Sequence, residues 1–406
     1  MDPQALLFSL FTPEGREDPH TPLEELRRVA PVYYDKDLDT FFLTRYSDCH
    51  SVLTDPNSAV PDLTWCEAEL PDWREHPAAD FFYSSMLRSN QPDHGRLRKL
   101  VSGAFTARRV AALQQAVEEI TDRLLDDLAD TVAHHGHADF QNVVGYPLPV
   151  AVIGELIGVP AADQAQFWQL GQDAGRLLEP VRSAEDWQRA DAAVKQLRDY
   201  FRELTAARSR QPADDLVSAL LPMARGEGQL TEKELTDTLL LVFVAGFETT
   251  TSLLALTVHA LLGHPEQRAR LVDDPDLVPN AVEESLRWDT PVRMTERITT
   301  APMSVGGVPV PAGSNLTTVL TAANRDPEQF PDPHRFDVSR TGSKVLSFSA
   351  GPHYCLGAAL ARLEGTVAIR KLLARFPSLR LAGTPRRRES LSLRAYESLP
   401  ITTSER

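Results

Sequence analysis

Phe348-Ser349-Ala350-Gly351-Pro352-His353-Tyr354-Cys355-Leu356-Gly357 runs straight into Ala358-Ala359-Leu360-Ala361-Arg362-Leu363-Glu364, and the rest of the chain is read around this stretch. It is a Gly- and Pro-punctuated loop that presents one cysteine just ahead of an Ala/Leu-rich helix. The thiolate is the form in which cysteine binds a metal. A helix N-terminus, with its unpaired N–H groups and positive dipole end, favours that anion. Gly351 and Gly357 let the backbone pass close to something flat and large. One thiolate without neighbouring cysteines suits a metal held axially, as in a Cys-ligated haem. A buried cysteine at a helix start would look the same in this stretch alone, so the choice rests on the remaining sequence.

The chain has 406 residues and 42% hydrophobic content, enough for a large core. Its 30 prolines are spread along it, and no Gly/Ser tract, charge block or internal repeat divides it. Length alone allows two or three domains; one large domain over residues 1–406 is the expectation. A net charge of −15 argues against nucleic acid as a partner. Cys49, Cys66 and Cys355 are odd in number and far apart, which points to a reducing compartment and no disulfide framework. The longest apolar run, Leu239 to Ala245, falls far short of the roughly 20 residues of a membrane span, and the N-terminal stretch carries no basic leader. A soluble, cytoplasmic protein is expected.

The pattern predicts a mostly α chain with a minor β portion. Helices are expected over 21–30, 47–53, 93–101, 107–130, 147–157, 163–178, 184–209, 214–224 and 276–288, with 56–92 irregular between its prolines. Short strands are expected at Val32–Tyr34 and Thr40–Leu43 and over 314–320. Gly306-Gly307 marks a hairpin between Met303–Val305 and Val308–Val310, and a second hairpin is read at 391–401 with Tyr396 at its tip. Thr231-Glu232-Lys233-Glu234 has the capping-box pattern and opens a helix running to about Gly263. Its middle is apolar all round, which implies burial through the centre of the molecule.

That helix contains Ala245-Gly246-Phe247-Glu248-Thr249-Thr250, a costly composition for a helix interior. The hydroxyls can bond to carbonyls one turn back. Taken alone, this is either a satisfied kink or a groove where an acid and a hydroxyl deliver protons to a small ligand. Glu284 and Arg287, three apart on a later helix, can pair. Such pairs are routine, and the weight of this one comes from order: central helix, Glu-x-x-Arg helix, hairpin, Pro-rich meander with Pro333-His334-Arg335-Phe336, then the cysteine loop.

In this order the segments resemble a soluble bacterial cytochrome P-450, over nearly the whole length. Phe348, Gly351, Cys355 and Gly357 match the family's F-x-x-G-x-x-x-C-x-G pattern, with Ser349 and Ala350 where glycine is frequent. Ala245-Gly246-x-Glu248-Thr249 resembles its oxygen-activating segment, and Glu284, Arg287 and Arg335 match its structural triad. The resemblance implies haem b with Cys355 as axial ligand, and His94, Arg98, Arg297 and His353 as partners of the haem carboxylates. It implies Thr249 and Glu248 as the residues serving oxygen activation and proton relay. It further implies a monooxygenase using O2, with electrons from a ferredoxin and its NAD(P)H-dependent reductase. Arg96, Lys99, Arg108, Arg109, Arg362, Arg370 and Lys371 belong to segments where such a donor would dock; Arg96 and Lys99 are otherwise read as solvent-exposed.

The expected substrate is a sizeable apolar natural product such as a polyketide or terpenoid intermediate, hydroxylated or epoxidised. Its pocket is expected to draw on 60–90, 167–182, Leu239–Val244, Val292–Glu296 and the Tyr396 tip, with Arg293 and Glu296 as candidate anchors. Two alternatives share Cys355: a haem-thiolate peroxygenase or isomerase needing no external reductant, and a haem sensor or electron carrier. The Glu248-Thr249 pair favours oxygen activation over both.

Overall fold

The computed structural model describes residues 2–179, 183–224, 230–342 and 344–403. It is mostly helical with a minor β portion, as the periodicity predicts. The chain gathers into two compact units: Met1–Val60 with Ala255–Cys355 and Gly383–Leu399, and Pro61–Leu254 with Leu356–Ala382 and Pro400–Arg406.

The first unit holds a five-stranded sheet in the order Val32–Asp35, Thr40–Leu43, Asn315–Thr318, Thr295–Thr299, Ser58–Ala59. The first pair is antiparallel around a tight turn in which Asp35 Oδ1 accepts the N–H groups of Asp37 and Leu38, both at 3.0 Å. Thr40–Leu43 then runs parallel to Asn315–Thr318, which pairs antiparallel with Thr295–Thr299. The expected Met303–Val305/Val308–Val310 hairpin is present, and Gly306 and Gly307 both have positive φ, the conformation of a two-residue turn whose twist matches the strands. Apolar side chains from this hairpin (Val305, Val310), the sheet (Leu43, Leu316) and the helix Tyr46–Thr54 (Cys49, Val52, Leu53) form one core with Leu346. Leu346 thus anchors the entrance of the cysteine loop in this core.

The helix Glu232–Gly263, which belongs to the second unit as far as Leu254, begins with the capping box that its sequence predicts: Thr231 N–H donates to Glu234 Oε2 at 2.7 Å, and Glu234 N–H to Thr231 Oγ1 at 3.1 Å. It runs unbroken for 32 residues, about 50 Å at ~1.5 Å per residue. By length and composition it could cross a membrane, but 78% of its most apolar window is buried, as in a core helix. Phe243 meets Phe167 edge-to-face at 5.0 Å, and Phe247 lies 6.2 Å from Tyr146.

Several expectations need correction. Residues 56–92 are largely helical, with Leu63–Glu69 and Pro77–Ser84 between short turns. Pro77 sits in the first helical turn, where a missing N–H costs nothing, so it starts a helix instead of breaking one. The stretch 107–130 is two helices, Ala107–Ala112 and Gln114–His135; Leu113 bonds back to Val110 and Ala111 while the apolar stripe continues past it. The helix Pro265–Asp273 and the strands Thr295–Thr299 and Ser58–Ala59 were not foreseen. The second hairpin does not form. Tyr396–Ser398 pairs with Arg386–Arg387, whereas Pro400–Thr402 pairs with Ala138–Asp139 and Arg380–Leu381.

Candidate functional site

Cys355 closes the loop that opened the sequence reading. Its N–H donates to Phe348 O at 2.9 Å, and Ser349 N–H to Leu346 O at 2.7 Å, so the loop folds back on itself and leaves the cysteine exposed. Two residues take the left-handed conformation, Ser349 at φ 61 and Gly351 at φ 66. At Gly351 glycine is also required by space, since a Cβ would stand 2.4 Å from Leu53 O. The segment Gly351–His353 makes one 3-10 turn, and Ala358–Arg375 is helical, as expected.

The loop is held by a buried polar frame. Arg287 gives Nε and Nη2 to the two carboxylate oxygens of Glu284 at 2.7 Å each, and both side chains are 0% exposed. Arg287 also donates to Pro333 O at 2.9 Å and Arg335 O at 3.1 Å. The second cation on Glu284 is Arg340, whose Nε lies 3.1 Å from Oε2 and whose Nη1 donates to Pro331 O at 2.7 Å. This corrects the expected triad. The Arg335 side chain is 63% exposed and 3.7 Å from Asp337; what Arg335 contributes is its carbonyl. A further link runs through Asn324, which accepts Leu346 N–H at 2.8 Å and donates to Ser347 Oγ at 2.8 Å; Ser347 Oγ donates to Leu286 O at 2.7 Å. Sequence reasoning missed Arg340, Asn324 and Ser347, because Asn324 and Ser347 bond main-chain groups remote in the chain and Arg340 meets the remote Glu284 carboxylate.

In the same unit Arg297 is buried in the strand Thr295–Thr299 and donates to Glu296 O at 2.7 Å and Thr295 Oγ1 at 3.2 Å. His353 is half-buried. Arg293 is buried, and its N–H donates to Ser392 O at 2.8 Å, which ties down its loop; Glu296 is exposed. Tyr396 is not a tip: it is 1% exposed, 5.0 Å from the His259 ring and 4.0 Å under the Arg387 guanidinium.

In the second unit, the central helix is buried on most sides, but Val242, Ala245, Gly246 and Thr249 remain partly accessible. At this spacing they form one stripe. Thr249 Oγ1 donates to Ala245 O at 2.8 Å and Ser252 Oγ to Glu248 O at 3.0 Å, bonding one turn back as the composition suggests. Glu248 is 1% exposed and lies off the stripe by about a third of a turn, at roughly 100° per residue. Its carboxylate packs at Gly175, where a Cβ would come 2.9 Å from Oε1. Thus Gly175 makes room for Glu248, a role nothing in its sequence context announced.

His94 is buried near the start of Asp93–Ala104, with Arg98 one turn on and half-buried. Of the expected docking cations, Arg96 pairs with Glu234 and is only 32% exposed, which corrects its reading as a solvent-exposed residue. Arg109 pairs with Asp214 at 3.5 Å and Lys371 with Asp122 at 2.8 Å, whereas Lys99 and Arg108 are exposed. In the expected pocket segments, Phe81, Phe82, Leu177, Leu239 and Leu240 are buried, Val242 is half-exposed and Leu87 is exposed. Residues 180–182 of the expected 167–182 stretch lie outside the described residues.

A family model described as cytochrome P450 matches residues 40–391. The 6-deoxyerythronolide B hydroxylase of Saccharopolyspora erythraea is 39% identical over 391 residues, covering 93% of this chain and 94% of that protein. The polyketide biosynthesis cytochrome P450 PksS of Bacillus subtilis is 34% identical over 412 residues, covering 98% and 99%. Among solved structures, P450BioI in complex with hexadec-9Z-enoic acid ligated acyl carrier protein superposes with a TM-score of 0.89 at 36% identity, covering 96% of this chain and all of that one.

Proposed function

The chain belongs to the cytochrome P450 family of haem-dependent monooxygenases, and we propose that it inserts one oxygen atom into a sizeable, mainly apolar polyketide-type natural product, with residues 1–406 acting as one catalytic domain. The residues present suit haem. Cys355 is an exposed, unbridged thiol in a loop whose Gly351 has no room for a side chain. The small residues Ala245 and Gly246 leave a flat accessible strip on an otherwise buried helix. Cys355 would ligate the iron, and His94, Arg98, Arg297 and His353 would supply the imidazole and guanidinium donors that two buried haem carboxylates need. When bound, haem supplies the redox-active iron at which O2 is activated.

The chain's own part is to place and protonate. The frame on Glu284 fixes the loop carrying the thiolate. Thr249 Oγ1, on the accessible strip, can turn from the Ala245 carbonyl to hold a proton toward a bound small molecule. Glu248 is the acid next in sequence, buried beside Gly175, and relays protons to that position. We assign electron supply to a ferredoxin and its NAD(P)H-dependent reductase, with Lys99 and Arg108 as exposed cations for an acidic donor. The working compartment is the cytoplasm, which suits three unbridged cysteines.

The observation that carries the substrate reading is 39% identity, across 93% of the chain, to a hydroxylase of 6-deoxyerythronolide B. The test is spectral titration of the holoprotein with 6-deoxyerythronolide B and related lactones, beside hexadec-9-enoic acid both free and carrier-linked. A spin-state shift with a lactone is expected, followed by a product one oxygen atom heavier when ferredoxin, reductase and NADPH are supplied. A shift with the acyl compounds alone would overturn the polyketide assignment. Turnover with peroxide but none with the ferredoxin system would overturn the assignment of electron supply.

A further inference from the structure

A cavity of about 380 Å³ lies wholly within the first unit, between the N-terminal helices Pro13–Glu17 and His20–Val29 and the Arg386–Arg387 strand. It is far from apolar: Arg325, Arg387, Arg394, His20, His259 and Asp289 line it. We propose that this cavity binds a small molecule through a phosphate or carboxylate group held at Arg387.

Two of the three arginines are already engaged. Arg325 gives Nε and Nη2 to Trp288 O at 3.0 and 2.8 Å, with its guanidinium 3.5 Å over the Trp288 ring. Arg394, 4% exposed, pairs with Asp289 and donates Nη2 to Glu17 O at 2.9 Å and Nη1 to Arg16 O. Arg387 is different. Its side chain is 10% exposed and stacked on Tyr396 at 4.0 Å, yet among the described residues its only hydrogen bond is a long one, Nη2 to Asp289 Oδ2 at 3.5 Å. Among the described residues Nε, 3.5 Å from Glu17 Oε2, makes no hydrogen bond, and Nη1 has no hydrogen-bond partner. The lining also carries His20 Nδ1, another buried polar atom without a hydrogen-bond partner among the described residues.

The charge balance favours an anion. Three guanidinium groups face one interior carboxylate, Asp289. Burial pushes Arg325 down to about 9, which still leaves it charged near neutrality. Burial, with Arg325 adding to it, holds His20 well below its ordinary range, and burial holds His259 at about 4, so both imidazoles stay neutral. Burial alone would raise the Asp289 carboxyl, but Arg394 and Arg387 outweigh it and hold Asp289 well below the usual range, so it is ionised and already shared between them. The rim carboxylates Glu17, Asp18 and Glu24 are all exposed, Glu17 and Glu24 at 63% and 52%, and are screened by water and salt. A buried guanidinium with free donors is costly, and an oxyanion is the partner whose oxygens accept charge-assisted N–H bonds most strongly.

The experiment is calorimetric titration of the holoprotein, in a low-salt zwitterionic buffer, with inorganic phosphate in one arm and succinate in the other. The variants are Arg387→Gln and, as a neighbour control, Arg386→Gln, whose side chain is 68% exposed and pairs with Glu397 at 2.9 Å. At least one anion should bind saturably, one per chain, to wild type and control, and Arg387→Gln should weaken it by about tenfold or more. Which arm binds identifies the group as phosphate or carboxylate. Absence of saturable binding in both arms overturns the proposal, as does equal binding by Arg387→Gln. If Arg387→Gln does not fold, Arg387→Lys takes its place, keeping the charge and losing the planar donors, with weakening again expected and equal binding again overturning it.

Discussion

Replacing Arg340 by alanine should destabilise the protein far more than replacing Arg335, the reverse of what the Pro333-His334-Arg335-Phe336 pattern suggests. The Arg340 side chain is 15% exposed and gives Nε to Glu284 Oε2 at 3.1 Å, Nη1 to Pro331 O at 2.7 Å and Nη2 to Asp332 O at 3.1 Å. Without it, Glu284 keeps Arg287 and the Asp337 N–H, but one of its oxygens loses a charged donor in a fully buried position. A hydrogen bond to a charged group contributes about 1.5–3 kcal/mol, so with the freed carbonyls the loss should reach about 2–4 kcal/mol. Arg335 serves the frame through its carbonyl, which alanine retains, and its exposed ion pair at 3.7 Å is worth about 0–1 kcal/mol. Urea unfolding of the three holoproteins, followed through the haem-thiolate absorption, measures both effects, and haem content after purification gives an independent reading. An Arg335→Ala loss equal to or larger than that of Arg340→Ala would refute the assignment of Arg340 as the third member of the frame.

Two further outcomes test other parts of the molecule. Thr249→Ala removes a hydroxyl that donates to the Ala245 carbonyl within its own helix, so haem content and stability should be nearly unchanged while product formed per NAD(P)H falls and peroxide rises; an unchanged ratio would remove Thr249 from proton delivery. Glu364 is 3% exposed, its Oε2 has no hydrogen-bond partner among the described residues, and burial raises its carboxyl well above the ordinary range. A raised acid contributes stability fully below the ordinary carboxyl value and loses it as pH climbs from there toward the folded-state value, because only the unfolded chain ionises freely. Glu364→Gln should therefore match wild type near pH 4.5 and melt at a higher temperature at pH 8; parallel pH profiles for the two proteins would contradict this.

Much of this architecture could be read from local chemistry. The Thr231–Glu234 box and the Gly306-Gly307 turn are each decided by residues within four positions of one another, and both appear as expected. The Cys355 loop was readable as a loop before a helix, because Gly351 and Gly357 punctuate it. Where pairing is remote, local pattern misled. Tyr396–Ser398 and Pro400–Thr402 look like parts of one hairpin, yet they belong to different sheets. The break at Leu113 falls inside a continuous apolar stripe, so periodicity cannot register it. At the site, Thr249 and Cys355 lay in recognisable patterns. Arg340 and Asn324 did not, since Arg340 meets a carboxylate and Asn324 a main-chain amide far along the chain, and Gly175 matters only because Glu248 happens to pack there. The Arg387 cavity joins residues drawn from both ends of the sequence, beyond the reach of any window.

The grip on the meander has a consequence for how this protein can vary. Arg287 and Arg340 hold the segment 331–335 through the oxygens of Pro331, Asp332, Pro333 and Arg335, groups that every amino acid carries. The clamp therefore recognises a path and is blind to the letters written along it. Pro331 and Pro333 preserve that path by fixing φ, while side chains such as His334 and Arg335, both more than half exposed, are left free to drift. Descendants of this chain can change the side chains at 334 and 335 and still keep the same backbone path.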